Sequence, residues 1–157
     1  MSAKGSMIAA SGNEMVEVTG DIREYAGHGV IVITTNGSLT RRGLAVPGNG
    51  VARQAADRHP WLGERLGSLL SRQGNHVFDL GCGIVSFPVE ETAWSLPDLR
   101  IIARSAEELR NLADAGGWQR IVVPRPGCGG GGLHWKDVRP LLAPWLDARF
   151  TVICHSS

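Results

Sequence analysis

Between the apolar run Arg120-Ile121-Val122-Val123 and the helically spaced Val138, Leu141, Leu142 and Trp145 lies Pro124-Arg125-Pro126-Gly127-Cys128-Gly129-Gly130-Gly131-Gly132-Leu133-His134-Trp135. Five of the six residues from Gly127 to Gly132 are glycine. Such a run adds nothing to a core and costs backbone entropy to order. It suits a place where the chain bends sharply or a ligand comes close. The flanking patterns read strand, glycine loop, helix. Consecutive amides beside a helix N-terminus form a concave anion site, so the loop reads as a phosphate cradle. A flexible surface loop is the alternative, and the close bracketing by strand and helix favours the cradle. A carboxylate introduced at Gly131 is expected to fill it. The run matches G-x-G-x-x-G literally, as almost any glycine run does. The strand-end acid of a dinucleotide site is replaced by Cys154-His155, which argues against that reading. No Gly-Lys-Ser/Thr follows, so a Walker loop is excluded.

The remaining composition is that of a globular protein. The chain has 157 residues, 43% hydrophobic and 20% charged, enough for one domain with a core. A net charge of +1 gives no global case for nucleic acid or an anionic membrane. No apolar run reaches the roughly 18 residues of a membrane span. Residues 1–13 lack the pattern of a secretion signal and read as a flexible lead-in, with 14–157 as a single domain. Three scattered cysteines and no C-x-x-C pair argue against a disulfide framework or structural zinc and fit reduced thiols in the cytoplasm. Cys128 has no evident general-base partner in sequence, so it reads as a small residue beside a ligand rather than a nucleophile.

Along the chain, Met15-Val16-Glu17-Val18 alternates as a half-buried strand and ends at Thr19-Gly20-Asp21-Ile22. Val30-Ile31-Val32-Ile33 is continuously β-branched, as suits an inner strand covered on both faces. The loop from Asn36 to Gly50 contains Arg41 and Arg42, and long ordered loops are usually functional. Helices are expected over Val51–Arg58 and Leu62–Arg72, then a hairpin of Val77–Leu80 and Ile84–Phe87 around Gly81-Cys82-Gly83. Leu99, Ile102, Ala106, Leu109 and Leu112 form a helical stripe, with Ser95 as its expected N-cap. A helix to Leu146 follows the glycine loop, and a last strand covers Arg149–Cys154. Interleaved strands and helices imply an α/β sandwich with a mixed sheet. Ligands of such sheets bind beyond the carboxyl ends of strands. The segments after the strands, at Asp21, Asn36–Gly50 and Gly127–Gly132, are thus expected to meet in one cleft. Two of them precede helices. A nucleotide diphosphate conjugate is the natural ligand class.

These same motifs resemble the macrodomain family: Val18-Thr19-Gly20-Asp21-Ile22, Thr34-Thr35-Asn36, Gly48-Asn49-Gly50-Val51-Ala52, and Pro124 to Trp135. The similarity spans about Val16 to Cys154. It is nearest the branch of terminal ADP-ribose glycohydrolases and antitoxins that reverse DNA ADP-ribosylation. It implies a three-layer α/β/α fold with a mixed central sheet and a cleft for ADP-ribose, without a cofactor. By resemblance, Asp21 accepts from the adenine amino group with the Ile22 amide beside it. Gly127, Cys128, Gly129, Gly130, Gly131 and Gly132 cradle one phosphate. Gly48, Asn49, Gly50 and Val51 close over the other phosphate and the distal ribose, near Asn36. The branch's lysine after Phe-Pro-x is replaced by Glu90, after Phe87-Pro88-Val89, and an acidic residue of the glycine loop by Gly131.

The implied function is hydrolysis of ADP-ribose from modified macromolecules, foremost proteins modified on acidic side chains, with a nucleic-acid carrier as a variant. Water would attack the distal ribose, oriented by Glu90 or by a substrate phosphate. A non-catalytic reader, or a deacetylase or phosphatase of small ADP-ribose derivatives, is the alternative. A monomer without membrane contact is expected. Glu90 reads equally as a solvated carboxylate and Asp21 as a helix cap. Arg41 and Arg42 read equally as carrier contacts or solvated residues. His134 reads as a phosphate ligand or helix cap. Trp94 and Trp135 are expected to pack in the core.

Overall fold

The computed structural model describes residues 13–48 and 50–155. The expected lead-in over residues 1–13 falls, up to residue 12, outside the described residues, as does the expected ligand residue Asn49.

Six strands form one sheet: β1 (Val16–Gly20), β2 (Val30–Thr35), β3 (Phe78–Gly81), β4 (Ile84–Pro88), β5 (Ile121–Pro124) and β6 (Phe150–His155). Their order is β1-β6-β5-β2-β4-β3. Only β3 runs antiparallel to its neighbour, so the sheet is mixed. The inner strand β2 pairs on both sides, which is why its sequence is β-branched throughout. The β3–β4 hairpin turns through Gly81, Cys82 and Gly83, all at positive φ.

One face carries α3 (Leu99–Gly116) and α4 (Trp135–Leu142). There Val32, Phe87, Ile102, Leu109, Val123 and Phe150 belong to one buried cluster. The other face carries α1 (Val51–Arg58), α2 (Leu62–Gln73) and a short 3₁₀ helix, Ile22–Tyr25. Its core is divided, one part under α1 and α2 and a smaller one of Ile22, Val122 and Ile153. The result is a three-layer α/β/α fold.

Two expected boundaries differ. The cap of α3 is Asp98, which accepts from the Arg100 amide at 2.8 Å. Ser95 instead holds the preceding loop, with its hydroxyl 2.6 Å from that of Thr92 and accepting from the Thr92 amide. Helix α4 stops at Leu142: Ala143 keeps helical angles and donates to the Arg139 carbonyl, but Pro144 has no N–H to continue the ladder.

The long loop after β2 is ordered by contact with α2. The Ala45 amide donates to the Gly63 carbonyl at 2.9 Å. A Cβ at Gly67 would lie 2.0 Å from the Gly43 carbonyl oxygen. Ala normally gains about 1 kcal/mol over Gly within a helix. A backbone overlap this close outweighs that gain, since overpacking costs about 1–3 kcal/mol. Gly67→Ala is therefore expected to lower the urea midpoint and shift the amide resonances of Gly43 and Ala45.

Candidate functional site

Parallel pairing puts the carboxyl ends of β1, β6, β5, β2 and β4 along one edge of the sheet. In that order the edge presents Asp21, His155, the glycine loop, the Asn36 loop and the Glu90 segment. From β1 to β2 is three strand spacings, about 14–15 Å. A carboxylate thus stands at one end, a glycine-rich loop in the middle and polar loops at the other end. The three predicted segments share this edge, joined by the segment after β4.

Asp21 is the N-cap of the 3₁₀ helix and accepts from the Arg23 amide at 2.9 Å. The Arg23 guanidinium also grips its carboxylate, with Nε 2.9 Å and Nη2 2.5 Å from Oδ2. Hydrogen bonds from the Arg23 side chain, then its amide, hold the Asp21 carboxyl down at about 2. His155 lies opposite Gly20 across the β1–β6 ladder and adds a smaller charge effect in the same direction. The cap alternative expected for Asp21 is thus observed. Sequence reading did not single out Arg23, although its position two residues after Asp21 is a frequent spacing for such pairs. Ile22 is buried, at 1% exposure.

The glycine loop is built from turns. The Cys128 amide donates to the Arg125 carbonyl at 3.2 Å, and the Leu133 amide to the Gly127 carbonyl at 2.9 Å. Gly127 and Gly132 have positive φ. A Cβ at Gly129 or Gly130 would meet nothing within 4 Å, so this part of the loop faces open space. Gly131 differs: its Cβ would sit 2.6 Å from the Gly127 carbonyl oxygen and 2.7 Å from Pro97 Cγ. A side chain at Gly131 would therefore push the loop apart rather than enter the cradle. Cys128 is half-buried, and burial pushes its thiol pKa up, which makes it a weaker nucleophile. Helix α4 begins at His134 with no side-chain cap, and α1 likewise at Gly50. Both helices leave their first-turn amides to other partners.

Asn36 is buried. Its Oδ1 accepts from the Ser38 amide at 2.9 Å and its Nδ2 donates to the Val46 carbonyl at 3.2 Å. It closes the base of the long loop. Gly48 lies over the end of β2, with its would-be Cβ 3.3 Å from the Thr34 carbonyl. Val51 starts α1 and packs with Ile22.

The segment after β4 forms the fourth wall. Thr35 accepts from the Val89 amide at 3.0 Å, and Glu91 accepts from the Gly37 amide at 3.1 Å. Ser38 Oγ accepts from the Ala93 amide at 2.9 Å, and Pro97 abuts the glycine loop. Glu90 is half-buried, and that burial pushes its carboxyl pKa up. Asn75 Nδ2 donates to the Glu90 carbonyl at 3.1 Å. Trp94 does not pack in the core: it is 84% exposed, as is Leu96. Both lie on the loop of residues 89–98 between β4 and α3 and face solvent. Trp135 is half-buried. It donates to Glu17 at 3.0 Å and lies under the Arg125 guanidinium, 4.6 Å away. Among the described residues no cluster of His, Cys, Asp and Glu could hold a metal ion. No described helix is long and apolar enough to cross a membrane.

No protein-family model matches the sequence, and no curated protein matches it. Solved structures do. The macrodomain of Mycobacterium tuberculosis DarG is similar at 22% identity over 92% of this chain and 100% of that one, with a TM-score of 0.73. The macrodomain of Thermus aquaticus DarG gives 20% identity, 91% and 98% coverage and 0.72. Thermosipho africanus DarTG, solved in complex with ADP-ribose, gives 17% identity, 82% of this chain, 38% of that one and 0.65. The chain has the macrodomain fold.

The Asp21–Arg23 pair generates a direct test. Arg23→Gln is expected to raise the Asp21 pKa from about 2 toward its ordinary 3.8, read by a carboxyl-carbon NMR titration. An unchanged value would assign the depression to the cap amide instead.

Proposed function

We propose that this cleft binds ADP-ribose and releases it from modified macromolecules, foremost proteins carrying it on acidic side chains. The observation that carries the reading is the order of groups along the sheet edge: carboxylate, open glycine loop, ribose-sized loop, half-buried carboxyl. The first three span about 14–15 Å, which suits an adenine, two phosphates and a second ribose laid end to end. Asp21 would accept from the adenine amino group beside Ile22. Gly127 to Gly132 and the α4 amides would take one phosphate. Gly48, Asn49, Gly50 and Val51, with α1 behind them, would take the other phosphate and reach the distal ribose beside Asn36. The complex of Thermosipho africanus DarTG with ADP-ribose supports the ligand class.

For catalysis, Glu90 accepts a proton from water as the water oxygen bonds to the anomeric carbon. The bond to the carrier's carboxylate breaks and takes its electron pair with it. A carboxylate is a stable leaving group and needs no proton, so one base suffices. A raised pKa improves Glu90 as a base near neutral pH. The exposed Trp94 and Leu96, on the same segment as Glu90, would be available to a carrier.

The binding step is tested by calorimetry with ADP-ribose. Gly130→Glu adds a charge where a side chain has room. Like charges at 4 Å cost between about 1 and 4 kcal/mol as screening falls, so affinity should drop steeply in a folded protein. Asp21→Ala should cost roughly 1.5–3 kcal/mol and leave ribose 5-phosphate binding nearly unchanged. Absence of heat with ADP-ribose in the unmodified protein would sink the reading.

The chemical step is tested with an ester-linked ADP-ribosylated protein. Glu90→Gln should cut turnover by about 10²–10⁴-fold while ADP-ribose affinity stays constant. Turnover of the unmodified protein should rise with pH as Glu90 loses its proton, at a pH above the ordinary carboxylate range, because burial raises its pKa. That limb should vanish in the variant. A silent substitution would transfer the role to a substrate phosphate, and binding without release would leave a reader.

A further inference from the structure

A cavity of about 310 Å³ lies on the face of the sheet that carries α1 and α2, between the 3₁₀ helix and α1. It belongs to the other end of the strands. Gly29 and Gly83, which line it, precede β2 and β4, whereas the cleft lies past their carboxyl ends. Its walls are Ile31, Ile33 and Ile84 from the sheet, with Ala55 from α1. The small side chain of Ala55 leaves the space that a larger residue at that helical position would fill. Ile22 and Val51, both assigned to the proposed site, also line it. At its mouth stand Arg58, His59 and Cys82. Two guanidiniums line the cavity. Arg23 is held by Asp21, while no hydrogen bond or ion pair is found for Arg58 among the described residues. Pockets of this size bury a small ligand through apolar walls and orient it by a few polar groups.

We propose that this cavity is a second binding site, for a small organic anion with an apolar body, and that its occupant braces Ile22 and Val51 from behind. The apolar body enters between Ile31, Ile33 and Ala55, and the anionic group meets Arg58 at the mouth. Because Ile22 and Val51 both line it, filling it favours the conformation in which Ile22 lies beside adenine and Val51 beside the second phosphate. This coupling rests on the ADP-ribose reading; the cavity's own ligand does not.

The probe is phenylbutyrate, compared with phenylbutanol and acetate, with amide and methyl shifts of the whole protein followed by NMR. Phenylbutyrate should shift Ile31, Ile33 and Ala55, and acetate should not. Ala55→Leu fills the cavity and should abolish these shifts in a protein that keeps its melting temperature. Arg58→Gln should weaken phenylbutyrate by about two- to fivefold, the range of an exposed ion pair, and leave phenylbutanol unchanged. No shifts in the unmodified protein, or shifts elsewhere than the cavity, would overturn the site. Equal binding of acid and alcohol would overturn the anionic assignment. ADP-ribose affinity should rise about fivefold or more with phenylbutyrate saturating. An unchanged affinity overturns the bracing. Failure of ADP-ribose to bind at all would instead overturn the proposed function, with the shift map still deciding the cavity.

Discussion

The parallel pairing of β2 with β4 continues past the ends of both strands. The Thr35 carbonyl takes the Val89 amide and the Gly37 amide reaches the Glu91 carbonyl. A Cβ at Gly37 would lie 2.8 Å from that Glu91 oxygen, so only glycine lets the two backbones run this close. Ser38 then receives the Ala93 amide. These links fix the Asn36 loop and the Glu90 segment relative to each other. Asn75 reaches the Glu90 carbonyl from behind and packs on Gly37. Pro97 carries the same segment across to the glycine loop. The Asn36 loop and the Glu90 segment are thus one frame of backbone and side-chain hydrogen bonds, and the backbone positions of both follow from it.

The two faces of the sheet are unequal. One is covered by an eighteen-residue α3 with Ile102, Ala106, Leu109 and Ala113 fully buried. The other has the eight-residue α1 and the twelve-residue α2 over β2 and β3, but only a four-residue 3₁₀ helix beside β5. That face holds Ile22 and Val51, which pack together and in the proposed binding mode lie beside adenine and the second phosphate. A ligand can be admitted there because few side chains compete for the space, and local stability follows local packing. The opposite face supplies the rigidity: Trp135 and Arg139 of α4 both bond to Glu17 of β1, tying the helix after the glycine loop to the far edge of the sheet.

Much of this was legible in the sequence because it depends on local chemistry. The β-branched run from Val30 could only be an inner strand, and a loop with five glycines between a strand and a helix could only be surface or cradle. Glu90 was placed by resemblance, and its half-burial was not readable. What escaped depends on three-dimensional neighbours. Trp94 looked like core because large aromatic residues usually are, but it faces solvent on the loop between β4 and α3. Ser95 fits the capping spacing as well as Asp98 does; the bonds it makes with Thr92 decide against it. Gly67 and Gly131 resemble any other glycines in sequence, and only the facing Gly43 and Gly127 carbonyls make them irreplaceable. The cavity beneath Ile22 had a single sequence signal, the small Ala55 on the buried side of α1.

The near-neutral composition is compatible with recognising a doubly charged diphosphate. Net charge counts side chains only, while the α1 and α4 N-termini and the open glycine amides carry partial positive charge that it ignores. The nearest guanidiniums are already engaged: Arg23 by Asp21, and Arg125 by the Trp135 ring, close enough to Glu17 to help depress its pKa. In the proposed binding mode anion recognition therefore falls to backbone dipoles, which are fixed in place by the turns that build the loop and need no flexible side chain to be ordered on binding. A glycine loop is the form such recognition requires, because every Cβ removed from Gly129 and Gly130 lets a phosphate oxygen approach the amides directly.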